Sequence, residues 1–211
     1  MNMNTNNKGL FIVFEGIDGS GKTTQAKLLA DWLRESGRNV VLTAEPTSLP
    51  TGKELRAALS GKEKKTECEM AALFVLDRIA HNNDPENGIH ALINSGTCVI
   101  CDRYYYSTLA YQGMSTDYNW VKAMNTGCPD IKKPDLCIYL DLLPEQSLER
   151  IRKGRDSVEI YETEDILTGV RNTFLNVISD LSDSENIEVI DAYRSPEAVS
   201  EDIRRAVAEL F

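Results

Sequence analysis

A chain of 211 residues, 42% hydrophobic and 27% charged, has the length and composition of one ordinary globular domain, which excludes a disordered, collagen-like or disulfide-scaffold protein. Thirty-three acidic against 23 basic side chains leave a net charge of -10, so the surface is not built to neutralise a nucleic-acid backbone. No apolar run approaches the roughly 20 residues a membrane helix needs, and the polar, Asn-rich start from Met1 to Lys8 is unlike a signal peptide. The expectation is a cytoplasmic protein whose five cysteines are reduced, with neither nucleic acid nor membrane as partner.

In chain order, Leu10 to Phe14 reads as a first buried strand, and Ala26, Leu29, Ala30 and Leu33 recur at helical spacing before Gly37 stops that helix. Val40 to Thr43 is a second strand and Glu67 to His81 a long helix. Thr97 to Cys101 is the third strand. It holds Cys98 and Cys101, but residues three apart on a strand face opposite sides, and only His81 and His90 are on hand to complete a zinc site. Leu136 to Leu140 follows as a strand, then a helix from Glu145 to Arg152 with Pro144 in its first turn. A helix over Asp165 to Leu181, a strand over Ile187 to Ile190 and a helix over Pro196 to Leu210 complete the chain. No repeat and no Pro/Gly/Ser-rich linker divides it, so residues 1–211 read as a single domain. Short strands apolar on both faces, alternating with helices, predict an α/β fold: five parallel strands flanked by helices on both faces, with ligands beyond the strands' carboxyl ends.

The first strand is followed at once by Gly16-Ile17-Asp18-Gly19-Ser20-Gly21-Lys22-Thr23, the GxxxxGK[ST] pattern between a strand and a helix. Glycines there let backbone N–H groups wrap phosphates, the helix N-terminus adds a favourable dipole, Lys22 reaches the outer phosphates and Thr23 offers a hydroxyl to Mg2+. The pattern predicts ATP or GTP binding. At the end of the third strand, Asp102 is the candidate to orient the Mg2+ shell through water, or else a helix cap or a partner for Arg103. An acidic protein that binds anions must concentrate its positive charge locally, which draws attention to Arg78, Arg103, Arg150, Arg152 and Arg155. The run from Arg150 to Arg155 suits equally a segment closing over phosphates and a solvated helix end.

Several segments together resemble the thymidylate kinase family of P-loop nucleoside monophosphate kinases. They are Phe14 to Gln25, Glu45-Pro46, Leu73-Phe74 with Asp77-Arg78, Asp102-Arg103-Tyr104, Ser107-Thr108 with Ala110-Tyr111-Gln112, Pro134-Asp135-Leu136, Tyr139-Leu140-Asp141 and Ile190-Asp191-Ala192. The resemblance implies the P-loop three-layer fold with a short lid at about residues 150–162, a homodimer, and transfer of the terminal phosphoryl of ATP to dTMP with Mg2+, as a step toward dTTP. It implies that Gly16 to Thr24 hold ATP. Asp18 and Arg103 contact dTMP and its phosphate, and Glu45, Ser107, Thr108 and Gln112 belong to the same subsite. Phe74 stacks on thymine, Arg78 bonds its carbonyl edge and Tyr111 crowds the ribose 2′ position. On helical spacing alone, Phe74 and Tyr111 could simply be core, and for Phe74 core is the preferred reading without the resemblance. The P-loop variable positions, Ile17 to Ser20, hold no arginine, so the family pattern assigns the catalytic arginine to the lid, as Arg152 or Arg155. Ala44 stands where many bacterial members have arginine before Glu-Pro, and Thr47 to Gly52 departs from the usual form, which leaves Arg56 as a partial substitute.

Kinases of another nucleoside monophosphate or of a deoxynucleoside are the nearest alternatives. A switch GTPase would need Asn-Lys-x-Asp after a strand, whereas Lys132-Lys133-Pro134-Asp135 has Lys for Asn and precedes its strand.

Overall fold

The computed structural model describes residues 9–154 and 163–211. Among these the elements run β1 (Phe11–Glu15), α1 (Lys22–Glu35), β2 (Val40–Ala44), α2 (Pro50–Leu59), α3 (Glu67–Asn83), α4 (Ile89–Asn94), β3 (Cys98–Asp102), α5 (Tyr105–Ser115), α6 (Tyr118–Thr126), β4 (Leu136–Asp141), α7 (Pro144–Gly154), α8 (Glu164–Leu181), β5 (Ile187–Asp191) and α9 (Pro196–Ala208). All five expected strands are present. Each extends one residue beyond its apolar run, to Glu15, Ala44, Asp102, Asp141 and Asp191, so four of the five carboxyl ends carry a carboxylate.

The strands pair in parallel in the order β2-β3-β1-β4-β5. From β1 the chain builds β2 and β3 on one side of the sheet and β4 and β5 on the other, so the order reverses at β1 and a crevice opens beyond its carboxyl end. That is where Gly16 to Gly21 lie. Every residue of β1 is buried, and β3 and β4 are buried apart from Asp102 and Asp141. The expectation of two-sided burial fails at the edges: Leu42 of β2 is 41% exposed and Val189 of β5 46% exposed, because an edge strand has a neighbour on one side only.

The long helices fall where their spacing and caps put them. Thr66 and Glu69 form a reciprocal capping box at the start of α3, and the side chains of Thr163 and Ser195 accept from Ile166 N and Ala198 N at the starts of α8 and α9. Four helices lack a sequence signal of comparable strength. In α5, Tyr105 to Ala110 are all buried, so its first half shows no polar face; α4 has six residues, and α2 and α6 have ten and nine.

Gly16 links β1 to the loop at φ 140°, and a Cβ there would stand 2.6 Å from Leu140 O and 2.8 Å from Ser20 Oγ. Gly16→Ala is therefore expected to cost about 2–4 kcal/mol in urea unfolding, from backbone strain plus overpacking. A midpoint equal to that of the parent chain would show that the loop relaxes around the methyl group.

Candidate active site

The loop after β1 delivers a helix N-terminus with its donors free. Gly21, in the left-handed conformation, is the N-cap of α1, with no side-chain cap and no acidic residue in the first turn. The first N–H groups of α1 are thus left for an anion, where α3, α6, α8 and α9 satisfy theirs with Thr66, Asp117, Thr163 and Ser195. Lys22 is 7% exposed, and its Nζ donates to Gly16 O at 2.9 Å and Ile17 O at 3.0 Å. Burial lowers its pKa to about 8. Ser20 Oγ is buried with no hydrogen-bond partner among the described residues. Ile17 differs from its neighbours: its side chain is wholly buried in the core, so only its backbone faces the loop.

Thr23 and Asp102 come together from α1 and β3, the hydroxyl donating to Oδ2 at 2.7 Å. A hydroxyl and a carboxylate are hard oxygen donors of the kind Mg2+ takes. Mg2+ is typically held by one or two carboxylates plus substrate phosphates, so it needs no protein-built cage. Among the described residues no group of three His, Cys, Asp or Glu side chains could form one.

Arg103, one residue past β3, has φ 69°, unusual for a residue with a Cβ. Its surroundings hold it there. Its N–H donates to Phe14 O at 2.9 Å, and its carbonyl accepts from Cys101 Sγ at 3.0 Å. Its guanidinium meets Asp18 Oδ1 at 2.5 Å and Ser107 Oγ at 3.0 Å. Behind this turn lies Glu15, fully buried, whose carboxyl accepts from Tyr104 N at 2.7 Å, Ser107 N at 3.1 Å and Ser107 Oγ at 2.6 Å. Burial pushes Glu15 up to about 7 against the pull of these donors and of Arg103. The ring of Tyr111 lies beneath Arg103, 5.5 Å from its guanidinium carbon, and meets Phe174 edge-on at 6.2 Å.

A second polar group lies under β2, α3 and α5. Arg78 is 1% exposed; its guanidinium meets Glu45 Oε2 at 2.7 Å, Thr108 Oγ1 at 3.1 Å and Asn125 Oδ1, and lies over the ring of Tyr104. Arg78 Nε and Gln112 Oε1, a donor and an acceptor, are buried without a hydrogen-bond partner among the described residues. Phe74 is half-buried and stands outside the core cluster. Asp77 accepts from Thr47 N, Thr47 Oγ1 and Thr51 Oγ1 at 2.6–2.8 Å, and Arg56 donates to Pro46 O at 2.9 Å, so the loop after β2 is bound to α3 and α2.

The P-loop borders a cleft of about 670 Å³, lined by residues 18–25, Asp102, Arg103, Arg150, Ile151, Ala192, Arg194, Pro196 and Val199. Gly19, Ser20, Gly21, Lys22, Thr23 and Thr24 are thus gathered with Asp18, Asp102 and Arg103 on one wall. Glu45, Phe74, Arg78, Ser107, Thr108, Tyr111 and Gln112 are not on that wall; Arg103, which touches Ser107 and covers Tyr111, joins the two groups. Of the basic run, Arg150 bridges Ala192 O at 2.7 Å and the Gly19 and Ser20 carbonyls at 3.4 Å, Arg152 is exposed, and Arg155 lies outside the described residues, as does most of the expected lid. Ser147 Oγ donates to Asp18 O at 2.5 Å, tying α7 to the P-loop. Sequence reading missed Glu15, Asp77, Ser147 and the target of Arg150. The acidic residue closing the first apolar run was the available signal for Glu15.

A family model described as thymidylate kinase matches residues 14–203. A probable thymidylate kinase of Methanococcus aeolicus is 45% identical over 171 residues, covering 81% of this chain and 80% of the relative; one of Pyrococcus horikoshii is 39% identical, covering 93% and 94%. A thymidylate kinase of Desulfotalea psychrophila is 36% identical, covering 98% of both chains. With a parallel sheet reversing at β1, a P-loop at that reversal and these matches over nearly its whole length, the chain belongs to the thymidylate kinase family.

Proposed function

We propose that the protein transfers the terminal phosphoryl of ATP to dTMP, giving dTDP and ADP, and so feeds dTTP synthesis. The observation that carries this reading is Arg103, fixed at the tip of β3 between the P-loop, through Asp18, and the polar group around Arg78, through Ser107 and Tyr111. The attacking atom is a phosphate oxygen that is already anionic, so no strong general base is needed, and positioning with charge neutralisation supplies the catalysis.

The backbone from Gly16 to Thr24 cradles the ATP phosphates, and Lys22 leaves the Gly16 and Ile17 carbonyls to reach the transferring group. Thr23, by its hydroxyl, and Asp102, through water, would hold Mg2+, which would supply neutralisation of charge on the ATP phosphates. Asp18 aligns Arg103, which grips the phosphate of dTMP. Phe74 stacks on the thymine, and Arg78 with Thr108 and Gln112 reads its polar edge. Tyr111 fills the space a ribose 2′ hydroxyl would need. Glu45 and Ser107 complete the subsite by fixing Arg78 and Arg103. The chain acts as a single kinase domain, and the family pattern assigns the catalytic cation to Arg152 or Arg155. A homodimer in the cytoplasm fits the family. Leu76 of α3, 48% exposed, gives a second copy apolar surface to cover.

A coupled ADP-release assay on dTMP, dUMP, dCMP, dGMP, AMP, UMP and thymidine should show strong preference for dTMP; preference for another acceptor overturns the base assignment. Lys22→Ala is expected to lower kcat by about 10²–10³, and near-parental turnover would remove it from the mechanism. Tyr111→Ala should gain activity on the ribonucleotide analogue relative to dTMP, and an unchanged ratio would refute the steric role. Because burial holds Lys22 at about 8 and a bound polyanion favours the charged ammonium, its pKa rises on binding and protons are taken up at pH 8. Calorimetry in two buffers of different ionisation enthalpy should report that uptake, and net release would contradict it.

A further inference from the structure

His81 has no place in the reaction as described, yet it is 5% exposed and both ring nitrogens are engaged. It lies three residues after Arg78 on α3, on the same helix face. Its Nδ1 is 2.9 Å from Glu45 Oε1, and its Nε2 is 2.8 Å from Thr43 Oγ1. The other Glu45 oxygen, Oε2, meets Arg78 at 2.7 Å. A buried carboxylate accepts only, so Nδ1 must carry the proton, and in the neutral ring Nε2 then accepts from the Thr43 hydroxyl. The backbone of Glu45 is fixed independently, its N–H donating to Asp102 O at 3.1 Å. Arg78 holds one oxygen of the Glu45 carboxylate and His81 the other, so the two contacts together fix its rotation.

We propose that His81 is a positioning residue for base selection: by holding Glu45 Oε1 it keeps Oε2 on Arg78, and so fixes the guanidinium that faces the nucleobase. The inference rests on the assignment of Arg78 to the base edge made above. An arginine donates and never accepts, so a rigidly held guanidinium rewards a ring carbonyl and penalises an amino group at the same place. That penalty lasts only while the guanidinium cannot turn aside. Thymine and cytosine differ in this way at position 4, which makes dCMP the informative competitor.

The test compares kcat/KM for dTMP and dCMP in the parent chain, His81→Ala and His81→Asn, with KM for ATP measured alongside. His81→Ala is expected to lower the dTMP to dCMP ratio at least about tenfold and to raise KM for dTMP, with KM for ATP within about twofold of the parent. His81→Asn, whose side-chain amide stands at the Nδ1 position, is expected to keep the ratio within about threefold. Because each ratio is taken within one preparation, a smaller folded fraction does not change it. If His81→Ala does not fold, His81→Gln replaces it, since its amide lies one methylene beyond the Nδ1 position. A parent chain that does not discriminate dTMP from dCMP overturns the Arg78 assignment itself. A parent that discriminates, together with an unchanged ratio in His81→Ala or its substitute, overturns the role of His81 alone and leaves it a packing residue.

Discussion

The carboxyl group of Glu15, enclosed at the end of the central strand, is the contact on which the site's geometry depends. It receives two backbone N–H groups and a hydroxyl from the turn after β3, and thereby ties the strand that leads into the P-loop to the turn that carries Arg103. Leaving those donors unpaired in the interior would cost about 1–3 kcal/mol each, so the turn has little alternative to its present form. A left-handed arginine, which the backbone alone disfavours, is held as a consequence. The same carboxyl is costly to ionise where it lies, and Arg103 nearby offsets part of that cost.

Around this clamp lie two polar groups of different character. One is generic: glycines, a helix start without a side-chain cap, and a lysine folded back onto loop carbonyls suit any nucleoside triphosphate. The other is particular, a buried arrangement of Glu45, Arg78, Thr108 and Asn125 whose hydrogen bonds leave few orientations open. Buried polar networks of this kind are costly to leave half-satisfied, so removing one member disturbs the others.

Local features carried most of what the sequence made legible. The P-loop is eight consecutive residues between a strand and a helix, and Asp102-Arg103 follows an apolar run, so both could be placed without knowing the rest of the fold. The five strands were visible as short apolar runs bounded by Gly, Pro or charge, whether buried on both faces like β1 or partly exposed like β2 and β5. The partners of Glu15 lie 89 and 92 residues away, and no periodicity announces them. His81 and Glu45 are 36 residues apart and meet only because α3 packs beside β2. The start of α5 escaped notice for a different reason: a helix buried all round shows no amphipathic stripe. Arg150 was read as part of a basic run, and only the packing of α7 reveals that it spans the P-loop and the segment after β5.

The position of β1 also bears on how the chain is made. The strand Phe11–Glu15 is synthesised first, yet both of its neighbours, β3 and β4, come from residues 98–102 and 136–141. An apolar strand with no Pro and a single charge must therefore wait for nearly half of the 211 residues before β3 can pair with it, and for about two thirds before β4 can. The α1 helix that follows at once can cover one face of it in the interval, through Ala26, Leu29 and Leu33. The strand at the centre of the sheet is thus also the one that waits longest for its partners during synthesis, and transient exposure of its apolar side chains is the hazard that its position creates.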